Sequence, residues 1–512
     1  MKRIPLAVLA ALPLLSAVLA TLSLPSFDLG FLAWIALAPL LFALRQRGLV
    51  AGAALGWLFG YAFGAGSFYW INVIPDLNAT RFALLVAVFS FYYLAFGFLY
   101  ALASRSLGSW MIVGAPILWV ALEYARGSFS FLAYPWNFLA HSQHQALPVI
   151  QIADLTGAYG VSFVLLMVNQ LASQLPDLLA AGKWRWRAQA LAVGIALATT
   201  VSYGWYRLAA DAQAAPHLRV ALVQANVTPR SKMSAKEQMA HLAAYDRLTR
   251  EAAKEKPDLI VWPSSSLPGP IDFWMIRLYV NRVANRAGIP LLVGGAGGDK
   301  FAPARDGYLP YSNSEFLISP SGTLEGQYNK VHLTPFTELV PLQGTVRWPQ
   351  WMTTLEKSFV PGDKYTLFQV GQARFGAPIC WENAFPDAFR RFVLGGANFM
   401  VSVTNESLFG ATAGPHQTLA MNAFRAVENR VAIARAATTG VSAFIDSHGR
   451  IVSKVRDSSG ADLFVPGILT WDVPLSDKKT FYTLYGDAFA QAVSIAALLM
   501  LLLCVWRSLR RF

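Results

Sequence analysis

Seven apolar stretches fill the first part of this 512-residue chain and an eighth lies close to its end, with a long segment of ordinary polarity between the seventh and the eighth. A membrane span needs about 20 apolar residues. The segments Ile4–Leu22, Leu29–Leu44, Ala51–Ile71, Phe82–Ala103, Trp110–Ala125, Ala158–Leu175, Ala188–Tyr206 and Ala488–Trp506 are of that kind. Only 14% of the residues are charged and 55% are hydrophobic, against about 25% charged in ordinary soluble domains. The expected organisation is a seven-span helical bundle over 1–210, an extramembrane domain over 215–485, and an eighth span with a basic tail over 488–512.

The opening stretch MKRIPLAVLAALPLLSAVLA has the layout of a signal peptide, but the apolar segments after it favour a retained first span. Basic residues set the orientation. One side of the bundle collects Lys2, Arg3, Arg45, Arg47, Arg105, Lys183, Arg185, Arg187, Arg507, Arg510 and Arg511; the other collects Arg81, Arg126 and Arg207. The first side is therefore expected to be cytoplasmic, which places the large domain in a bacterial periplasm and the chain in the inner membrane. The formal charge of +13 is read as this topology signal plus attraction to anionic headgroups, not as a nucleic-acid surface. A transporter is disfavoured because intramembrane charge is sparse, with Glu123 nearly alone.

Within 215–485, β-branched runs such as LRVALVQANV, DLIVWP, PLLVGG, ARFGAPIC and NFMVSVTN alternate with helical patterns, which argues for an α/β layered domain. Cys380 and Cys504 are the two cysteines, too few for a disulfide framework or a cysteine metal site. Cys380 ends the apolar run in FGAPICWENAFP, at the C-terminal end of a buried strand, where α/β folds present active groups. A thiol there becomes a nucleophile only if one group ionises it and another holds the charge that develops on the substrate. YNKVHLTPFTELVP supplies Lys330 and Glu338, CWEN supplies Glu382, and VWPSSSLP carries Ser264. His332 and His416 lack metal-ligand spacing, so no metal is expected, and no Gly-x-Ser-x-Gly elbow surrounds Ser264 to Ser266.

The order VALVQANV, VWP then LP, YNKVHLTPFTELVP, PICWEN, VTNESLFG and GPHQ resembles the nitrilase superfamily. The eight-span frame, together with EYARG, YPWNFLAHSQ and Gly157, Gly160 and Ser162, resembles its membrane-bound branch, the bacterial apolipoprotein N-acyltransferases. The resemblance implies an αββα sandwich with a Glu-Lys-Cys triad. It places the cysteine at Cys380, the lysine at Lys330, a second glutamate at Glu338, and the glutamate after the cysteine at Glu382.

It also implies ping-pong transfer of an acyl chain from a membrane phospholipid, through a cysteine thioester, to the amine of a diacylglyceryl-cysteine apolipoprotein, with no cofactor. YPWNF and SLFGATAG are then candidates for a hydrophobic portal or lid. The sequence departs from the pattern at Met233, at Leu408 and above all at Ser264, which occupies the place of the base glutamate. A serine hydroxyl is no general base near neutral pH. Three readings stand side by side: a weakened enzyme, a base role taken over by Glu338, or a lipid-binding protein without turnover. A membrane-tethered amidase is the rival activity.

Overall fold

The computed structural model describes residues 6–45, 47–74, 78–129, 133–175, 185–210, 216–228, 233–298, 311–349 and 358–510. The chain divides into two compact units, Met1–Ala212 with Thr412–Ala420 and Tyr485–Phe512, and Gln213–Ala411 with Met421–Leu484.

In the first unit each of the eight expected segments contains helix. Three helical stretches, Leu49–Ser67, Ala79–Ser128 and Ala488–Leu509, are long and apolar enough to cross a membrane. Two of the others fall short for a visible reason. Leu29–Leu44 is split into a turn, Gly30–Trp34, and a short helix, Ala38–Leu44. Ala158–Ser173, at about 1.5 Å per residue, reaches roughly 24 Å against a hydrocarbon core of about 30 Å. Lys2, Arg3, Lys183 and Arg511, which carry part of the expected orientation, lie outside the described residues.

Small residues at a spacing of four bring two of the long helices together. A side-chain carbon on Gly56 would strike the carbonyl of Tyr93, and one on Gly97 would strike the carbonyl of Gly52. This is the small-xxx-small contact that lets membrane helices approach closely. Arg126, counted above as a loop charge, is instead buried at the end of Met111–Ser128. It donates to the carbonyls of Trp136 (2.6 Å) and Tyr134 (3.3 Å), between the rings of Phe89 and Phe138. The YPWNF stretch is packed into this unit, with Trp136 and Phe138 buried and Tyr134 half-buried, so most of its aromatic surface faces the unit's own interior. Trp70 and Trp136 both donate their indole N–H to Gln417 Oε1.

The second unit holds two six-stranded sheets. The first runs in the order β12-β1-β2-β3-β4-β5, where β1 is His217–Gln224, β2 Leu259–Val261, β3 Leu291–Gly298, β4 Tyr311–Ile318, β5 Leu324–Asn329 and β12 Gly467–Pro474. The second runs β11-β10-β9-β8-β7-β6, where β6 is Phe368–Val370, β7 Ala373–Gly376, β8 Phe399–Thr404, β9 Ile433–Ala437, β10 Ala443–Ile445 and β11 Ile451–Lys454. Each sheet has parallel strands at its centre, β1-β2-β3 and β7-β8-β9, and antiparallel strands at its margins. The central strands β2, β8 and β9 are buried at every residue, as strands covered on both faces must be.

Helices Ala235–Ala253 and Trp274–Ala287 cover the outer face of the first sheet through a core that includes Tyr245, Trp262, Val280, Val293 and Phe316. The first helix opens with a capping box between Ser234 and Glu237. The inner faces meet through Gln224, which accepts from Ser442 and donates to the carbonyl of Val465, and through Phe444 against Trp471. Of the layering expected from the motifs, the two packed sheets and the helices over the outer face of the first are present.

Candidate active site

Cys380 lies four residues after β7 and opens a short turn, Cys380–Ala384. Its φ is 50°, in the left-handed region that costs a non-glycine residue roughly 1–3 kcal/mol. The turn is held in that state by neighbours. Ile379 pairs with Val403, and Glu382 Oε2 accepts from the Ile379 N–H at 2.8 Å. The thiol is half-buried, with Sγ 4.0 Å from the carbonyl oxygen of Asn405.

Lys330 follows β5 directly and is 1% exposed. Its Nζ donates to Glu338 Oε2 at 2.6 Å and to Thr334 Oγ1 at 3.2 Å. Burial works against its charge, but Glu338 and Cys380 outweigh that and hold its pKa above the ordinary lysine value. Glu338 also accepts from the Thr334 N–H and from Asn313 Nδ2, each at 2.8 Å. Burial alone would lift its pKa, yet the Lys330 ammonium brings it below the usual carboxylate range. The two partners agree in sign: both are held charged.

Glu382 is fully buried and has its carboxylate filled. Besides Ile379 it accepts from Tyr328 Oη (2.8 and 2.9 Å) and from the N–H groups of Val331 (2.8 Å) and His332 (3.0 Å). Its place in the first turn after the strand would suit a simple helix start, but its acceptors reach across to the segment that carries Lys330. His332 stacks on Phe385, and its Nε2 faces Tyr365 Oη at 3.1 Å.

The structure therefore joins Lys330 and Glu338, which follow β5 of the first sheet, to Cys380 and Glu382, which follow β7 of the second. Ser264 is buried at the end of β2, and the segment after it is stitched to β3 by Ser266 Oγ and the Leu267 N–H, both of which donate to the Gly294 carbonyl. Sequence reasoning missed Tyr328, Thr334 and Asn313, all of which hold charged members of the site. A period-two reading of β5 puts Tyr328 and Lys330 on one face, and was the available signal for the tyrosine.

Residues 16–171 match the Apolipoprotein N-acyltransferase N-terminal domain, and residues 219–479 match the Carbon-nitrogen hydrolase family. A protein named apolipoprotein N-acyltransferase from Geobacter metallireducens is 34% identical over 93% of this chain and 92% of its own. The chain belongs to the apolipoprotein N-acyltransferase family. A family member of the same name from Chlorobaculum tepidum is 30% identical over 96% of both chains. Among solved structures, an amidase from Nesterenkonia sp. is 18% identical, covering 55% of this chain and 94% of that one, with a TM-score of 0.36. Family membership accounts for the pairing of apolar helices with a carbon-nitrogen hydrolase domain in one chain.

Proposed function

We propose that this protein transfers an acyl chain from a membrane phospholipid to the N-terminal amine of a diacylglyceryl-cysteine lipoprotein. The observation that carries the reading is the buried Lys330–Glu338 pair, tied through Glu382 to the turn that displays Cys380, in a chain of this family with helices apolar enough for lipid.

In the first half-reaction the Cys380 thiolate attacks the ester carbonyl carbon. The carbonyl oxygen gains negative charge, and the Lys330 ammonium offers the stabilisation that a preformed charge gives at low dielectric. The ester C–O bond breaks, the lysophospholipid leaves with a proton, and a Cys380 thioester remains. In the second half-reaction the acceptor amine attacks the thioester, the C–S bond breaks, an amide forms, and the proton lost by the amine restores the thiol. No cofactor enters either step. Glu338 keeps Lys330 charged and aimed, and Glu382 fixes the turn that displays the thiol.

Transfer must take place at the membrane, because drawing either acylated substrate into water costs about 0.8 kcal/mol per CH₂. On this reading the eight apolar segments form the bundle that holds the chain in the bacterial inner membrane, with the sandwich on the periplasmic side, and Leu408, exposed in SLFGATAG, belongs to a lipid-facing rim. The test is a reconstituted assay with chain-labelled phospholipid and a diacylglyceryl-cysteine peptide. Label appearing as an amide on the peptide supports the proposal. Ammonia released from small soluble amides, with no label on the peptide, would replace it with an amidase.

A further inference from the structure

The deprotonation of Cys380 needs a proton acceptor, and the two glutamates of the assembled site are poorly suited to be one. Glu338 is neutralised by Lys330 and accepts two further hydrogen bonds, which leaves it a depressed pKa and little basicity. Glu382 accepts from three backbone N–H groups and one phenol. Protonating either would break a network that is complete. Ser264 has no basicity to offer.

A third carboxylate stands on β4, the strand next to β5. Glu315 on β4 is 0% exposed, and both its oxygens lack any hydrogen-bond partner among the described residues. Buried carboxylates left without partners are costly and rare, and mark strain or function. Its direction follows from the register. Glu315 stands opposite Gly294 on one side and Tyr328 on the other, and directly opposed residues of antiparallel strands share a face. Tyr328 spends its hydroxyl on Glu382, so that face is the one on which the Cys380 turn is held.

Gly294 supplies the opening. A side-chain carbon there would collide with Glu315 Oε1 and would lie 2.6 Å from Ser264 Cα. The carboxylate therefore reaches across a glycine to the backbone of Ser264. The titratable groups beside it are Tyr245, whose ionisation Glu315 opposes, and Tyr328 across the ladder. Burial lifts the Glu315 carboxyl well above the ordinary carboxylate range, which makes its ionised form a stronger base than an exposed carboxylate.

We infer that Glu315, reaching from β4 to the position of Ser264, is the proton acceptor for Cys380. The S–H bond breaks, the proton passes to the Glu315 carboxylate, and the sulfur keeps the electron pair as thiolate. The proton is returned to the departing lysophospholipid oxygen. This inference rests on the acyl-transfer reading for its substrate, but not for its test.

The test compares the full chain with Glu315→Gln, Ser264→Glu and the double variant, all in detergent, using iodoacetamide alkylation of Cys380 across pH 5 to 10 and thioester formation from phospholipid. Glu315→Gln is expected to lower the neutral-pH alkylation rate at least about tenfold and thioester formation about 10²-fold or more. Its alkylation should also move to higher pH. The thermal midpoint should hold or rise, because an unpartnered buried carboxyl is removed. Adding Ser264→Glu to Glu315→Gln should restore at least about half of the alkylation rate and at least about a tenth of the thioester rate, because it returns a carboxylate to the same point. Unchanged alkylation in Glu315→Gln, or a loss that Ser264→Glu does not restore, overturns the inference. If no variant gains an acyl mass while alkylation responds as expected, the substrate reading fails and the role of Glu315 stands.

Discussion

Tyr328 Oη donates to both oxygens of Glu382, at 2.8 and 2.9 Å, and so ties the strand that delivers Lys330 to the turn that displays Cys380. Tyr328 is on the first sheet and Glu382 is in the turn that follows β7 of the second, and Glu382 also accepts from backbone N–H groups on each side of the junction. One buried carboxylate thus sets the register between the nucleophile and its positive charge.

Truncating that carboxylate leaves several buried donors without acceptors, each worth about 1–3 kcal/mol. Glu382→Ala is expected to lose at least about 3 kcal/mol of stability and nearly all thioester formation. Tyr328→Phe removes one donor and spares the backbone contacts, so it should lose about 1 kcal/mol and only part of the rate. Thermal melts with acyl-enzyme mass measurements check both.

The Lys330–Glu338 pair makes a prediction about coupling. Removing one member of a buried pair costs about 3–5 kcal/mol, because the other charge is stranded. Lys330→Met should be severely destabilised, and Lys330→Met with Glu338→Gln much less so. The double variant should remain without thioester formation, since no positive charge is left for the oxyanion. Melting midpoints and acyl-mass gain together separate stability from chemistry.

The same pair fixes how stability depends on pH. Glu338 has a folded pKa below its ordinary value of 4.5, so its contribution is present above that value and is lost as pH falls through the depressed folded value. Lys330 has a folded pKa above 10.5, so its contribution is present below that value and is lost as pH rises through the raised one. Chemical-denaturation curves should show these contributions constant through neutral pH and lost at both extremes, with both losses reduced in the Lys330→Met, Glu338→Gln double variant.

The positive φ of Cys380 predicts an order among inactive variants. Cys380→Ala keeps a side chain in the left-handed region, whereas Cys380→Gly removes that penalty of about 1–2 kcal/mol. Cys380→Gly should therefore melt at or above Cys380→Ala, although glycine ordinarily destabilises. The comparison needs only two melting curves.

Cys380, Lys330, Glu338 and Glu382 are legible in the sequence because each sits in a short motif at a strand end, where few residues decide what a side chain faces. Glu315 is not. In YSNSEFLIS it reads as a polar residue on a marginal strand, and its burial depends on the β3–β4–β5 register and on the missing side chain of Gly294. Tyr328 and Asn313 were hidden for the same reason: each reaches its partner across a turn or between sheets. The helical character of the apolar segments was legible from composition, but their lengths were not, since the break after Trp34 comes from local turns that hydropathy averages away.

The central claim is that the Cys380 sulfur carries the acyl chain, and the direct measurement is intact mass with peptide mapping after incubation with a phospholipid of one defined chain. The account predicts a single acyl mass on the peptide containing Cys380, removed by neutral hydroxylamine and absent in Cys380→Ala. An unmodified chain, or an acyl adduct that persists in Cys380→Ala, would contradict it.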